Sequence, residues 1–274
     1  MALEIQNTAE RRDISAEWKR VGAGFSVAPA AYPVDIEALV GRTARQAPAD
    51  HRLFFVAASW IGVHHMLVDM RRLGRILEKL EELGSAVAGA MLAVANEVAA
   101  SDRLLAAQRY CRPLHEPRVL FERIAADPVL AAFARDQSLP LFSRWGLWHD
   151  EISLKTAAIR PVRWILKHCP ELRVRALIGA SLEGQIVEAL REKPRSIAEL
   201  ARVTGATYAA THEAVTRLYA RGLAESLRSG AKSAVVLPRR IAVWLDAYPP
   251  AASERSRIAE GARDGPTSPP EAAA

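Results

Sequence analysis

The sequence predicts a mainly α-helical protein, with an N-terminal all-helical domain and a smaller C-terminal unit of three helices followed by a β-hairpin. Three observations lead to this fold class. Apolar residues recur at spacings of three and four through most of the chain, which is the period of an amphipathic helix. Prolines break the region from 113 to 140 into short helices. Strand-like residues are recognisable only in two short stretches around residue 230.

Changes in composition along the chain predict its organisation. We expect an irregular arm at 1–34, an all-helical domain at 35–180, a second domain at 181–248 and a disordered tail at 249–274. The arm mixes charges with glycines and prolines and shows no sustained period. The tail is rich in Pro, Ala, Ser and charge, so it cannot bury enough apolar surface to offset the entropy of ordering.

The overall composition is that of a globular protein in a reducing compartment. The chain has 274 residues, 50% of them hydrophobic, which is enough to bury a normal core. Cys111 and Cys169 lack a Cys-x-x-Cys spacing, which fits free thiols rather than a disulfide framework. The longest apolar run, at 53–63, is well short of the ~20 residues that a membrane-spanning helix needs. We therefore expect a cytoplasmic protein that does not enter a membrane.

Helical periodicity begins after the arm. Asp35 is the expected N-cap of a helix that ends before Pro48, and a second helical run is expected from Asp50 to about Leu83. The next segment, from Ser85, is Ala-rich, and Ser85 is its expected N-cap. Its small side chains allow another helix to approach closely. We expect the apolar helices at 50–101 to pair across a two-fold axis and form a homodimer.

The second domain begins with two helices separated by a proline. The stretch LEGQIVEALREK places Leu182 and the apolar residues after it on one face of a helix that stops before Pro194. Ser196 then caps a second helix, and Glu199, three residues on, completes a capping box.

A turn, a third helix and a hairpin follow. Gly205 supplies the turn, and the third helix begins near Thr207 and ends at Gly222, whose missing Cβ suits a left-handed C-terminal cap. Two short strands are then joined at Ser229 and Gly230.

This order resembles the winged helix-turn-helix domain of bacterial transcription regulators such as the MarR and ArsR groups. The resemblance covers about residues 182–240. The matching positions are the Ile197-Ala198-Glu199-Leu200-Ala201 run, Gly205 in the turn, Val215 and Leu218 in the third helix, and Arg221-Gly222-Leu223 before the wing.

The resemblance implies that the third helix enters the major groove of double-stranded DNA and that the hairpin touches the backbone or the minor groove. The DNA-binding residues that it implies are Thr207, Tyr208, His212, Thr216 and Arg217 on the third helix, and Arg228, Lys232, Arg239 and Arg240 on the wing and after it. Ala209 and Glu213 face the same side, where many family members carry Ser, Arg or Lys. Glu213 can accept a hydrogen bond from cytosine N4, but it repels a nearby phosphate.

Positive charge is concentrated in the same part of the chain. Residues 160–248 hold 15 Lys and Arg against 8 Asp and Glu, whereas residues 1–159 hold 19 of each. A localised positive field favours a polyanion such as nucleic acid, because bound phosphates release their counterions. The segment 160–176, with five basic residues around Trp164, either extends this surface or forms a solvated helical face.

Other constellations carry no assignment. His64, His65 and Asp69 lie on one expected helix, and His65 and Asp69, at i,i+4, can hold two positions of a metal site, but a polar patch or helix-packing histidines explain these residues better. The WHDE stretch at 148–151 sets His149, Asp150 and Glu151 side by side, and adjacent residues on a helix point apart. Neither a P-loop nor a G-x-G-x-x-G is present. We expect no catalytic residue, metal or cofactor.

The sequence therefore predicts a DNA-binding transcriptional regulator whose helical domain supplies dimerisation or binds an effector or partner. The alternative from another class is a protein-interaction or antitoxin-like module, in which the winged helix docks a protein. An enzyme built on His64, His65 and Asp69 is the third possibility.

Overall fold

The computed structural model describes residues 13–229 and 232–246, without the side chains of residues 228, 229 and 232. The chain is mainly helical. Its first helices are α1 (residues 13–20), α2 (Ile36–Gln46), α3 (His51–His64), α4 (Met70–Leu77), α5 (Glu82–Ala99), α6 (Asp102–Gln108), α7 (Glu122–Ala125), α8 (Pro128–Asp136) and α9 (Pro140–Ser143). The later helices are α10 (Val162–His168), α11 (Arg173–Ile178), α12 (Leu182–Glu192), α13 (Ile197–Thr204), α14 (Tyr208–Ala220) and α15 (Arg239–Asp246).

The described residues also form two small sheets and four short 3-10 turns. Strands β1 (Arg118–Val119) and β2 (Leu147–Trp148) form a parallel pair. Strands β3 (Glu225–Ser229) and β4 (Lys232–Val236) form the expected antiparallel hairpin, with Glu225 opposite Val236. The 3-10 turns lie at Ala47–Ala49, His65–Leu67, Thr156–Ala158 and Pro170–Leu172.

The buried apolar residues form two hydrophobic clusters, and the boundary between them in the sequence lies between Leu172 and Val174. The first runs from Ile14 to Leu172 and defines what we call the N-terminal unit. The second runs from Val174 to Leu245 and defines the C-terminal unit. None of the helices in the described ranges is long and apolar enough to cross a membrane.

The segment 1–34, expected to be an irregular arm, belongs in part to the first core. Residues 13–20 are helical, and Ile14 and Trp18 are fully buried. The indole of Trp18 donates to the Thr43 hydroxyl at 2.8 Å. The expectation was therefore wrong for this stretch, because two large apolar residues at i,i+4 form a helical face even in a charge-rich segment.

The expected helical run from Asp50 to Leu83 is divided in the structure. Asp50 caps α3, which ends at His64, and the chain then makes a 3-10 turn. Asp69 caps a new helix by accepting the amide hydrogens of Arg71 and Arg72, both at 3.0 Å. A side chain that satisfies two free amide groups starts a helix where the apolar period alone predicted continuation.

Helix α5 lies at the centre of the N-terminal unit. Its residues from Gly84 to Ala95 are buried by the rest of the chain, and α3 is the helix that approaches it closely. Ser85 lies inside the helix and accepts a hydrogen bond from the Arg112 amide at 2.8 Å, so it is not the N-cap. The surface expected for a homodimer at 50–101 is thus largely an internal contact of one chain.

The parallel pair β1 and β2 departs from an all-helical N-terminal unit. The stretch PRVLFERIAA, expected to be one short helix, forms β1 before it forms α7. The residue after β2, His149, lies next to His51 at the start of α3, with the two rings 5.7 Å apart.

The C-terminal unit contains the elements that the sequence predicts. Helices α12, α13 and α14 pack together through their buried residues Ile186, Val187, Leu200, Val215 and Leu218. The capping box of Ser196 and Glu199 is present, and Gly205 has a φ of 66° that ends α13. Between α12 and α13, the backbone of Arg195 pairs with Val235 of β4 through two hydrogen bonds of 3.1 and 2.8 Å.

Buried polar contacts join the two units. The carboxylate of Glu37, fully buried, accepts from Arg175 at 2.6 Å, from Arg72 at 3.2 Å and from the Asp69 amide at 2.8 Å. The Gln185 amide donates to Asp69. The start of the C-terminal unit is thereby bound to α2 and α4.

Candidate nucleic-acid interface

Helix α14 presents one exposed face and one buried face. Thr211, Ala214, Val215 and Leu218 point into the C-terminal core. The exposed residues are the N-cap Thr207 and, along the helix, Tyr208, Ala209, His212, Glu213, Thr216, Arg217 and Ala220. The structure therefore leaves all five residues expected on the third helix accessible to a partner.

The threonine hydroxyl groups on this face are already used inside the helix. Thr207 is the N-cap and accepts the Ala210 amide hydrogen at 3.2 Å. The Thr216 hydroxyl donates to the carbonyl of His212 at 2.9 Å. The oxygen of Thr216 keeps a lone pair for a donor, but its hydrogen is committed. The rings of Tyr208 and His212 lie 6.3 Å apart and are tilted by 31°, so they share one patch.

Arg217 is held by carboxylates. It donates to Glu183 at 2.6 Å and to Glu213 at 2.7 Å, and these hydrogen bonds raise its pKa. Arg221 donates to the second oxygen of Glu183 at 2.8 Å. The positive charge expected to face DNA at Arg217 is therefore offset within the protein.

The hairpin lies next in the chain, after the C-terminal end of α14. Arg228 stands opposite Ser233 and Lys232 opposite Ser229 in the register. The side chains of Arg228 and Lys232 lie outside the described residues, so their expected role stays a prediction. Arg239 and Arg240 are exposed in the first turn of α15.

The basic segment 160–176 does not form a continuous surface. Arg173 is buried and donates to the carbonyls of Leu166 at 2.8 Å and Leu245 at 3.3 Å. Arg175 is bound to Glu37. These two cations face the interior and the junction between the units, so they do not extend a DNA-binding face.

A cleft of about 820 Å³ lies between the units and was not expected from the sequence. Five arginines line it together with Asp69, Gln185 and Gly205; they are Arg72, Arg75, Arg175, Arg191 and Arg202. Arg72, Arg175 and Arg191 are paired with carboxylates. The wall also contains Glu188, Glu192, Asp246 and the turn between α13 and α14, so the cleft is lined by both units and by charges of both signs.

His64, His65 and Asp69 do not converge on a common point. His64 Nε2 donates to the Arg160 carbonyl at 2.8 Å, and His65 Nδ1 donates to the Gly62 carbonyl at 3.1 Å. Asp69 caps α4 and receives Gln185. Each side chain has its own structural partner, which removes the reason for placing an enzyme active site here.

A different histidine cluster is present in the N-terminal unit. The chain at WHDE is not helical, since it follows β2, and the argument that these side chains diverge therefore does not apply. One ligand atom from each of His51, His149 and Glu151 lies within 4.8 Å of the others. Burial lowers the pKa of His149 to about 4. No local spacing could have shown this cluster, because His51 is distant in sequence.

Searches of the chain against protein-family models, curated proteins and solved structures found no match.

Proposed function

We propose that the chain is a cytoplasmic DNA-binding regulator that contacts double-stranded DNA through α14 and the β3–β4 hairpin. The observation that carries the proposal is the exposed face of α14, uncovered along the length of the helix while its other face builds the core. A helix of this kind fits the major groove, which is about 12 Å wide.

The order of elements supports a winged helix-turn-helix arrangement. Three helices precede a hairpin, the second and third helices meet at Gly205, and the extended residue Arg195 pairs with β4. This bridge adds a third extended segment to the hairpin and binds it to the helices. The hairpin is thereby held in a defined position relative to α14, as a wing requires.

Within this proposal, Tyr208, His212 and Thr216 read base edges. Tyr208 is 58% exposed, and His212 offers a ring nitrogen to the groove. Thr216 accepts hydrogen bonds through its free lone pair. These are single contacts, so each base pair is discriminated by less than the ~1–3 kcal/mol of a bidentate pair.

Phosphate contacts come from the basic residues around the hairpin. Arg228 and Lys232 are strand residues on either side of the turn, and Arg239 and Arg240 follow β4 closely. Each cation that neutralises a phosphate releases a counterion, and log affinity then falls with log salt concentration by about 0.9 per phosphate.

Fluorescence anisotropy with a labelled random duplex at several salt concentrations tests this proposal. Replacing Arg228 and Lys232 together by Ala should weaken binding to every sequence and flatten the salt slope by about 1 per lost contact. Replacing His212 or Thr216 by Ala should instead reduce discrimination between sequences. The matched control is R118A/R123A, which removes two exposed cations from the N-terminal unit. Salt-insensitive or absent binding by the natural chain would refute DNA binding.

A second function, docking of a protein partner, is favoured by a specific observation. Glu183 and Glu213 neutralise Arg217, and exposed apolar side chains lie on the same unit, namely Tyr208, Leu227, Val243 and Trp244. Such residues suit a protein interface better than a phosphate backbone. This alternative would be established by a protein that binds no duplex and that loses binding to its protein partner when Leu227 and Trp244 are replaced by Ser.

A further inference from the structure

Three side chains from separate places in the sequence meet at the edge of the N-terminal unit. His51 is the first residue of α3, and His149 and Glu151 follow β2. One ligand atom of each lies within 4.8 Å of the other two. His51 Nε2 and a carboxylate oxygen of Glu151 are 3.8 Å apart.

His149 is the unusual member of this cluster. Its side chain is 2% exposed, and neither ring nitrogen has a hydrogen-bond partner among the described residues. The nearest carboxylate, that of Asp150, is 3.6 Å from Nδ1, too long for a hydrogen bond. The rings of Phe55, Phe121 and Phe142 surround it. A buried ring nitrogen without a partner is costly, so a ligand at this place would satisfy it.

We propose that His51, His149 and Glu151 bind a divalent transition-metal ion of the zinc class. Two imidazoles and one carboxylate form a ligand set that zinc accepts, with the fourth position left for water or another ligand. Metal–ligand bonds of about 2.0–2.1 Å bring tetrahedral ligand atoms to about 3.4 Å from one another. The side chains of His51 and Glu151 are 40% and 62% exposed, so they are free to make this small adjustment around the buried His149.

The electrostatic surroundings are mixed. Asp50 and Asp150 lie beside the cluster and favour a cation. Lys155 opposes one, although its ammonium group is bound to the Ser153 hydroxyl at 2.7 Å. The N-terminus of α3 also disfavours positive charge at His51, but the Asp50 carboxylate caps that terminus by accepting the Leu53 amide hydrogen at 3.0 Å.

The site is independent of the proposed DNA-binding function. It lies in the N-terminal unit and links the start of α3 to the segment that follows β2. That segment is further attached to α3, because the Lys155 amide donates to the Ser59 hydroxyl at 2.8 Å. A bound ion would therefore add a cross-link between two elements that already pack together.

Titration of the untagged, chelator-treated full chain with zinc chloride tests the proposal. Calorimetry should show one ion per chain, and zinc should raise the melting temperature. The variants H51Q and E151Q alter exposed side chains and should keep the fold while weakening binding at least 10-fold. His115, 95% exposed and 4.0 Å from Glu82, provides the matched control, since it is a surface histidine–glutamate pair without a second histidine. H115Q should bind zinc like the natural chain.

Cobalt substitution provides a second readout. Co²⁺ bound by two imidazoles and a carboxylate in tetrahedral geometry should give strong visible absorption. H149Q should abolish this absorption while its circular dichroism spectrum remains helical. Absence of saturable binding, or binding that H51Q and E151Q leave unchanged, would overturn the proposal and leave His149 as a ring packed among phenylalanines.

Discussion

The guanidinium of Arg217 lies 2.6 Å from the carboxylate of Glu183, so helix α12 neutralises a cation on the exposed face of α14. Glu183 also binds Arg221, and its side chain is only 16% exposed. One carboxylate thus withholds two arginines from any anionic partner. This arrangement decides how strongly the C-terminal unit can attract phosphate.

Replacing Glu183 by Gln should strengthen binding to duplex DNA. The change releases Arg221 and leaves Arg217 with Glu213 as its carboxylate partner, so we expect an affinity gain of about 3- to 10-fold at low salt and a steeper salt slope, by up to about 1 per added phosphate contact. Anisotropy titrations measure both. E122Q removes an exposed carboxylate from the first turn of α7 and should change neither quantity. An E183Q protein that binds no better would show that these arginines do not face DNA.

Glu37 should be among the residues on which stability depends most. E37Q removes the buried negative charge that pairs with Arg175 and Arg72, and removing one partner of a buried pair costs roughly 3–5 kcal/mol. Urea unfolding followed by circular dichroism measures the loss. The exposed pair of Arg45 and Glu81 is the control, and E81Q should cost less than about 1 kcal/mol. If E37Q and E81Q lowered the free energy of unfolding equally, the ion pairs of Glu37 would contribute no more to stability than a surface pair.

The close approach of α3 and α5 depends on Gly62. A Cβ there would lie 2.7 Å from the carbonyl oxygen of Ala95 and 2.7 Å from Val98 Cβ. Backbone cannot yield cheaply, so G62A should lower the free energy of unfolding by roughly 1–3 kcal/mol. In G84A the new methyl meets only the end of the flexible Glu81 side chain, and stability should stay unchanged or rise slightly. A neutral G62A would contradict the tight contact.

The two thiols should be unreactive in the folded protein. Burial raises the pKa of both Cys111 and Cys169 from 9.0 to about 12, so the native thiolate fraction at pH 8 is about 1000-fold below that of an exposed cysteine. Iodoacetamide labelling, followed by mass spectrometry, should require unfolding.

The same shift predicts a loss of stability in alkali. Between pH 9 and 12 the unfolded chain has lost the thiol protons and the folded chain retains them, so stability present below pH 9 falls as pH rises. Urea unfolding from pH 8 to 10.5 should show this slope, and C111A and C169A should each reduce it. Rapid labelling of the native protein would contradict burial of the thiols.

Several caps and turns in both units were predictable because they are local. Asp35 caps α2, Ser196 and Glu199 close their capping box, and Gly205 adopts the left-handed conformation that ends α13. In the two side-chain caps, the oxygen that accepts the free amide hydrogen lies three residues before it, and at Gly205 the missing Cβ permits the left-handed conformation. The apolar positions of α14 were likewise readable from their spacing, since Ala214, Val215 and Leu218 are buried.

Breaks and irregular segments of the N-terminal unit were harder to predict. Trp18 is buried because Thr43 and Trp60 of α3 lie against it. The helical run after Asp50 is divided because Asp69 caps a new helix, α4, and binds Gln185. These contacts compete with local periodicity, and their outcome depends on residues far away in the sequence.

The sequence by itself determined the helical class, the hairpin and the capping residues, because hydrogen bonds and apolar spacing within a few residues specify them. Only the tertiary structure decided which faces are covered and which charges are paired. It buried α5 within the chain, set Glu183 against Arg217, and placed His51 beside His149 and Glu151. The physical reason is that burial and Coulomb interactions act through space between elements, so no local spacing records them.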